Sequence, residues 1–352
     1  MAKSYGPIAL LGSGETSLAG GRVFELIAKR FPPPVKIAIL ETPAGFELNS
    51  PRVAGRVGDF LKDRLQNYNP VIDIVPARKR DSTFSPDNPD VLQPLLKADI
   101  IFMGAGSPTY AIRQLKGSLA WDLMRFRQRS GAALVFASAA VISIGACSLP
   151  VYEIYKVGQD VYLVSGLDLF SDYHLPLSFV PHWNNTDGGD DVDTSRCFVG
   201  IDRFKQWCNF LPSGHTTIGL DEHTGVIIDF ASGICSVSGV SSVTLLRECN
   251  PEIFPTGAEF PISELGLLNK PVNLEDDIST VAVDMVKNVE KINIQEEIPE
   301  EVTILAEARR QARIRQDWLN ADALRQKILS LGWSIQDTPE GQKIVRLPSL
   351  ME

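Results

Sequence analysis

Ala133-Leu134-Val135-Phe136-Ala137-Ser138-Ala139-Ala140-Val141-Ile142 is the stretch of this 352-residue chain that decides its fold. Five apolar residues are too few for a helix and read as a strand buried on both faces. A serine ends that strand, and a second apolar run starts a helix straight after it. The same rhythm precedes it. Apolar runs at Ile8 to Leu11, Ile37 to Leu40, Val71 to Val75 and Ile100 to Met103 alternate with amphipathic stretches at Arg22 to Arg30, Val53 to Gln66, Tyr110 to Leu115 and Ala120 to Gln128. Alternating strand and helix predicts an α/β fold, a doubly wound and mostly parallel sheet. After residue 215 the pattern changes to short strands closed by turns, at Thr216 to Leu220, Val226 to Phe230 and Gly233 to Val237, which predicts a β-rich edge to the sheet.

The α/β pattern covers residues 1–250. Residues 251–302 are rich in Asp, Glu and Pro and read as an acidic linker, with a helix expected at Ile278 to Val289. Residues 303–352 form a separate helical tail, whose apolar positions fall on one side of one or two helices. Its Arg309, Arg310, Arg313 and Arg315 reverse the linker's sign.

Composition excludes several classes. Thirty-four basic against 43 acidic residues give a net charge of −9, which argues against nonspecific DNA binding. No stretch reaches the roughly 18 uninterrupted apolar residues of a membrane helix, and the first residues lack a signal-peptide pattern, so a cytoplasmic location is expected. Five widely spaced cysteines without Cys-x-x-Cys indicate neither a disulfide framework nor a zinc site. With four histidines besides, no metal and no cofactor is expected.

Four constellations carry chemistry. Gly12-Ser13-Gly14, with Glu41 ending the next strand, reads either as part of a dinucleotide fingerprint lacking its third glycine or as the turn any such sheet needs. Gly104-Ala105-Gly106, after the strand Ile100 to Met103, would expose backbone N–H groups to an oxyanion, or would simply turn the chain. Ser138 at a strand-to-helix turn is a nucleophile or a helix N-cap, with the Ala139 amide aimed at an oxyanion in the first case. Phe136 and Ala140 stand where a nucleophile elbow has glycine. His182, in Pro181-His182-Trp183-Asn184-Asn185, follows the serine in the chain as a general base would. Glu153 or Asp160 would orient that histidine, and Asp221-Glu222-His223-Thr224 reads as a structural turn.

These residues together resemble the dipeptidase E and cyanophycinase family of serine peptidases, which has a class I glutamine amidotransferase-like, flavodoxin-like fold. The resemblance spans about residues 6–245. Gly104-Ala105-Gly106 is similar to the family's Gly-Gly-Asn turn, Ser138-Ala139-Ala140-Val141 to its Ser-Ala-Gly-Ala motif, Pro181-His182-Trp183 to its histidine segment, and Gly219-Leu220-Asp221-Glu222-His223-Thr224 to its Gly-Ile-Asp-Glu-x-Thr turn. Ser143-Ile144-Gly145-Ala146 offers a competing register for the nucleophile.

The resemblance implies a serine-type amide hydrolase with Ser138, His182 and Glu153 as the triad. Ala139, Gly104, Ala105 and Gly106 would hold the oxyanion. Arg113, Asn184, Asn185 and Arg196 would bind a substrate carboxylate, the substrate being a small acidic or isoaspartyl peptide. The tail, through Ala321-Asp322-Ala323-Leu324-Arg325, Leu331-Gly332 and Asp337-Thr338-Pro339-Glu340-Gly341, resembles the end of cysteinyl-tRNA synthetases. It implies either a tRNA contact or a packing module. A non-catalytic binding module coupled to tRNA through this tail is the alternative reading, and a homo-oligomer is compatible with both.

Overall fold

The computed structural model describes residues 5–247, 250–271, 273–296, 299–338 and 341–346. The chain divides into two compact units, Met1–Val286 and Lys287–Glu352. The fold is mixed α/β with a large, mostly parallel central sheet. In the first unit, strands Val71–Val75, Lys36–Leu40, Ile100–Met103, Ala133–Ala137 and Ile8–Leu11 lie side by side in that order, all parallel. Three antiparallel strands, Thr224–Asp229, Ile234–Gly239 and Glu259–Pro261, extend the edge beyond Ile8–Leu11. Ile8–Leu11, Ile100–Met103 and Ala133–Ala137 are buried along their whole length, as strands covered on both faces must be. Helices Leu18–Ala28 and Ser50–Arg64 cover one face through Val23, Phe24, Ile27, Val57 and Leu61. Burying each such side chain contributes about 1.5–3 kcal/mol.

A second, four-stranded sheet positions the site. Its order is Asn250–Pro255, Ser242–Arg247, Thr216–Leu220 and Leu177–Val180. The last two run parallel with Val180 opposite Gly219, so the turns that follow both strands emerge together.

Two corrections concern the segment expected to be a linker. Asn250–Pro255 pairs with Ser242–Arg247, and Glu259–Pro261 pairs with Ile234–Gly239, so residues 250–261 are sheet rather than linker. Further on, the buried Arg129 donates to the carbonyls of Leu274 and Asp276 and pairs with Asp172, which also holds Arg125. Within the segment Ile253 and Leu267 are exposed, whereas Phe260, Ile262 and Leu265 are buried. Local charge and proline content concealed them. The expected helix is present as Thr280–Glu296, and the unit boundary falls inside it.

The second unit has helices Glu300–Ile314 and Trp318–Ser330, followed by a hairpin of Trp333–Thr338 with Gly341–Arg346 that the helical expectation did not include. Val302, Ala306, Ile328, Trp333 and Ile335 form its core. Arg309 is buried and donates to Gln342, so it does not belong to an exposed basic face. Arg310 pairs with Glu307, and the Arg313 guanidinium lies near the Trp318 ring. Among the described residues, no helix is long and apolar enough to cross a membrane.

Candidate functional site

Strand Ala133–Ala137 delivers Ser138 to the carboxyl-terminal edge of the sheet, beside the end of Ile8–Leu11. Ser138 has φ 52° and ψ −120°, a conformation L-residues avoid, and the helix Ala139–Ser143 begins directly after it. Its side chain caps nothing in that helix. The hydroxyl instead lies 2.9 Å from Nε2 of His182. The N-cap alternative is therefore not what the geometry shows. Ser143, the competing register, is buried and donates to the carbonyl of Ala140, one turn into the helix.

The other ring nitrogen of His182 faces Glu222, with Nδ1 2.8 Å from Oε1. An ionised carboxylate can only accept, so the proton sits on Nδ1 and Nε2 is left to accept from the serine hydroxyl. Asn185, itself buried, donates from Nδ2 to the same Oε1 at 2.9 Å, while Asn184 Oδ1 accepts from the Glu222 amide. Burial would raise the Glu222 carboxyl. The hydrogen bonds from Asn185 and His182, with electrostatic attraction to the His182 and His223 rings, more than offset this and hold it below its ordinary value.

Glu153, expected as the orienting acid, is corrected here. It lies on the short helix Val151–Tyr155 and accepts from Thr109 Oγ1 at 2.6 Å, while its place beside His182 is taken by Glu222. Asp160, the reserve, is exposed in the loop beyond that helix. The turn read as structural therefore supplies the carboxylate. Sheet pairing explains why: Val180 lies opposite Gly219, so His182 and Glu222 leave neighbouring parallel strands at the same level.

The two glycine turns close the site. Ala140 donates to the Gly104 carbonyl at 3.3 Å, which ties the Gly104–Gly106 turn to the serine turn. Gly106 has φ 145°, and a Cβ there would meet the Pro43 backbone at 2.1 Å, so only glycine fits. The N–H of Ala139 opens its helix, where a first-turn amide has no intrahelical acceptor. Gly12 accepts from the His182 amide, and a Cβ on it would meet the Asp221 carbonyl at 2.2 Å. That glycine turn serves as a spacer between the serine and the histidine. Glu41, the acid of the dinucleotide reading, is buried against Arg78 and Ser50.

The residues expected to bind a substrate carboxylate divide. Asn184 and Asn185 support Glu222, and Arg196 donates to the Trp183 carbonyl while stacking 3.8 Å over the Trp183 ring. Arg113 is exposed on helix Pro108–Leu115, its guanidinium near the Tyr110 ring. Among the described residues, no group of His, Cys, Asp and Glu side chains is arranged to hold a metal ion.

No protein-family profile matches the chain. A solved structure of a peptidase from an acI-B1 Actinobacterium is similar over 74% of this chain and 98% of that one, with a TM-score of 0.59 and 18% sequence identity. That likeness is one of fold. A short stretch is 55% identical over 49 residues to the cysteine–tRNA ligase of Methanosarcina mazei and 43% identical over 53 residues to that of Caldicellulosiruptor saccharolyticus. These stretches amount to 14% and 15% of this chain, and the chain spans only about a tenth of the length of those ligases, 10% and 11%.

Proposed function

We propose that the first unit is a serine-type amide hydrolase of the peptidase class, of the dipeptidase E and cyanophycinase kind. The observation that carries this reading is the hydrogen-bonded series Ser138, His182 and Glu222, with the serine on a strained strand-to-helix turn. Ser138 Oγ attacks an amide carbonyl carbon as its proton passes to His182 Nε2. Glu222 stabilises the imidazolium. The oxyanion is held by the Ala139 amide and the Gly104–Gly106 turn. The C–N bond then breaks, His182 returns the proton to the leaving amine, and water releases the acyl group by the same route in reverse. The fold shared with a peptidase adds support.

A small acidic or isoaspartyl peptide is the proposed substrate. Because Asn184, Asn185 and Arg196 are engaged in supporting the site, Arg113 is the member of that set left to meet a substrate carboxylate. The test is labelling with a fluorophosphonate. Modification confined to the peptide bearing Ser138, and lost in Ser138→Ala, is expected; folded protein that takes up no label contradicts the reading.

The similarity of a short stretch to cysteine–tRNA ligases favours a second reading, a binding module that contacts tRNA through the tail. A gel shift of the whole chain with total tRNA, abolished in Arg315→Glu/Arg325→Glu, is its expected result. No shift at low salt rejects it.

A further inference from the structure

Three consecutive non-glycine residues, Arg196, Cys197 and Phe198, have φ of 58°, 60° and 69°, and His182 has φ 48°. L-residues adopt left-handed conformations singly and at a cost, so a run of three persists only where surrounding contacts fix it. Those contacts converge on the histidine segment. The Cys197 amide donates to the His182 carbonyl at 3.1 Å, the Arg196 amide to the Trp183 carbonyl at 3.0 Å, and Arg196 Nη1 to that same carbonyl at 2.7 Å. What the turn delivers is the Phe198 ring, 5.5 Å from the imidazole and tilted by 48°. Tyr155 stacks on Phe198 at 5.4 Å and 22°.

We propose that Phe198, carried on this left-handed turn, is a positioning residue that holds the His182 imidazole in line with Ser138 and Glu222. The inference rests on the hydrolase reading. The two hydrogen bonds of the imidazole act at its edge, in the ring plane, and leave tilting out of that plane unrestrained. A ring set 5.5 Å away and tilted by 48° to the imidazole opposes that motion by contact, and does so most when the serine bond is broken. In the acyl intermediate Oγ is esterified, so Nε2 has lost that partner while it must still activate water. Glu222 and Phe198 then hold the imidazole between them.

The test uses the full chain and the variants Phe198→Leu, Phe198→Tyr and Tyr155→Leu, with two readouts. One is the rate of fluorophosphonate labelling; the other is the downfield proton resonance of His182 Nδ1–H, assigned by its loss in His182→Gln. Phe198→Leu keeps apolar bulk and removes the flat face, so labelling is expected to slow about 10- to 100-fold, the effect of a small misplacement of a catalytic group. The resonance is expected to broaden as the ring gains freedom. Phe198→Tyr, which keeps the face, restores both. Tyr155→Leu, which leaves Phe198 in place and removes the ring stacked on it, reproduces the loss in smaller measure and serves where Phe198→Leu fails to fold. Wild-type labelling with an unchanged resonance in Phe198→Leu overturns the proposal. If the wild-type protein takes no label, the hydrolase reading fails, while the resonance in Phe198→Leu still decides whether Phe198 holds the ring.

Discussion

Replacing Glu222 by Gln separates the charge of the third residue from its geometry. In the native site Oε1 accepts from both His182 Nδ1 and Asn185 Nδ2, at 2.8 and 2.9 Å. A glutamine carbonyl in that place accepts the same two bonds, and the Asn185 amide selects that orientation because an amide NH2 there would oppose its own. The imidazole therefore keeps its tautomer and its place, and only the attraction between carboxylate and imidazolium is lost. With charge centres about 4 Å apart and an effective dielectric near 20, that attraction is about 4 kcal/mol. At 1.36 kcal/mol per decade, the expected fall in rate is about 10³-fold. The partners' side-chain exposures, 17% for His182 and 28% for Glu222, make this an upper figure, since solvent screens part of the field. Glu222→Ala adds loss of orientation and is expected to fall further, towards the roughly 10⁴-fold seen when a triad acid no longer directs its histidine. Glu153→Gln keeps an acceptor for Thr109 and touches neither His182 nor Ser138, so its rate stays within a few-fold of wild type. The assay is the second-order rate of fluorophosphonate labelling, read by intact mass. Full labelling in Glu222→Gln together with a collapse in Glu153→Gln would refute the assignment and return the acid to the short helix.

Ser138→Gly removes the proposed nucleophile and also the strain of φ 52°. Thermal stability is expected to rise by about 1 kcal/mol while labelling vanishes, and a lower melting temperature would show that the Ser138–His182 bond outweighs the strain. Gly106→Ala would drive a methyl into the Pro43 backbone. The Gly104–Gly106 turn must then shift, so labelling and melting temperature fall together, and a variant with both intact contradicts the close approach. His215 is buried with its pKa lowered by desolvation, so the unfolded chain takes up its proton first as pH falls. Stability should decline below the ordinary histidine value of 6.5, down to the lower folded pKa, and denaturant midpoints from pH 7.5 to 5 should flatten in His215→Gln.

The parallel strands were legible because each is a short, largely apolar run between turn signals, and in the inner strands burial on both faces leaves no polar residue to blur it. Ala133–Ala137, Ile100–Met103, Val71–Val75 and Ile8–Leu11 match the expected limits residue for residue. Ser138 and His182 were legible for a related reason, since each follows an apolar run at a strand end. Residues 250–265 were not, because Asn250–Pro255 is an almost wholly exposed edge strand whose acids and prolines suggest a linker, although it pairs with the strand just before it in the chain.

The third residue of the site tests how far chain distance can serve as a guide. The expectation for Glu153 rests on its place between Ser138 and His182 in the chain, fifteen residues after the serine, and spacing along the chain says little about a sheet edge. The relevant neighbour of His182 is set by the parallel pairing of Leu177–Val180 with Thr216–Leu220, across nearly forty residues that include the whole polar loop and helix Ile201–Cys208. Once Val180 is opposite Gly219, a carboxylate a few residues past Gly219 meets an imidazole two residues past Val180, and the buried Asn185 between them has a reason to be polar. The same register accounts for Gly12. The Asp221 carbonyl passes so close to its Cα that no side chain fits, and its carbonyl receives the His182 amide. The histidine and the acid are thus set side by side by one strand pairing, and the first glycine turn packs against the turns that carry them. A substitution that slipped that register by a single residue would turn Glu222 to the opposite face and leave Ser138 and His182 without a carboxylate, whatever became of the fold.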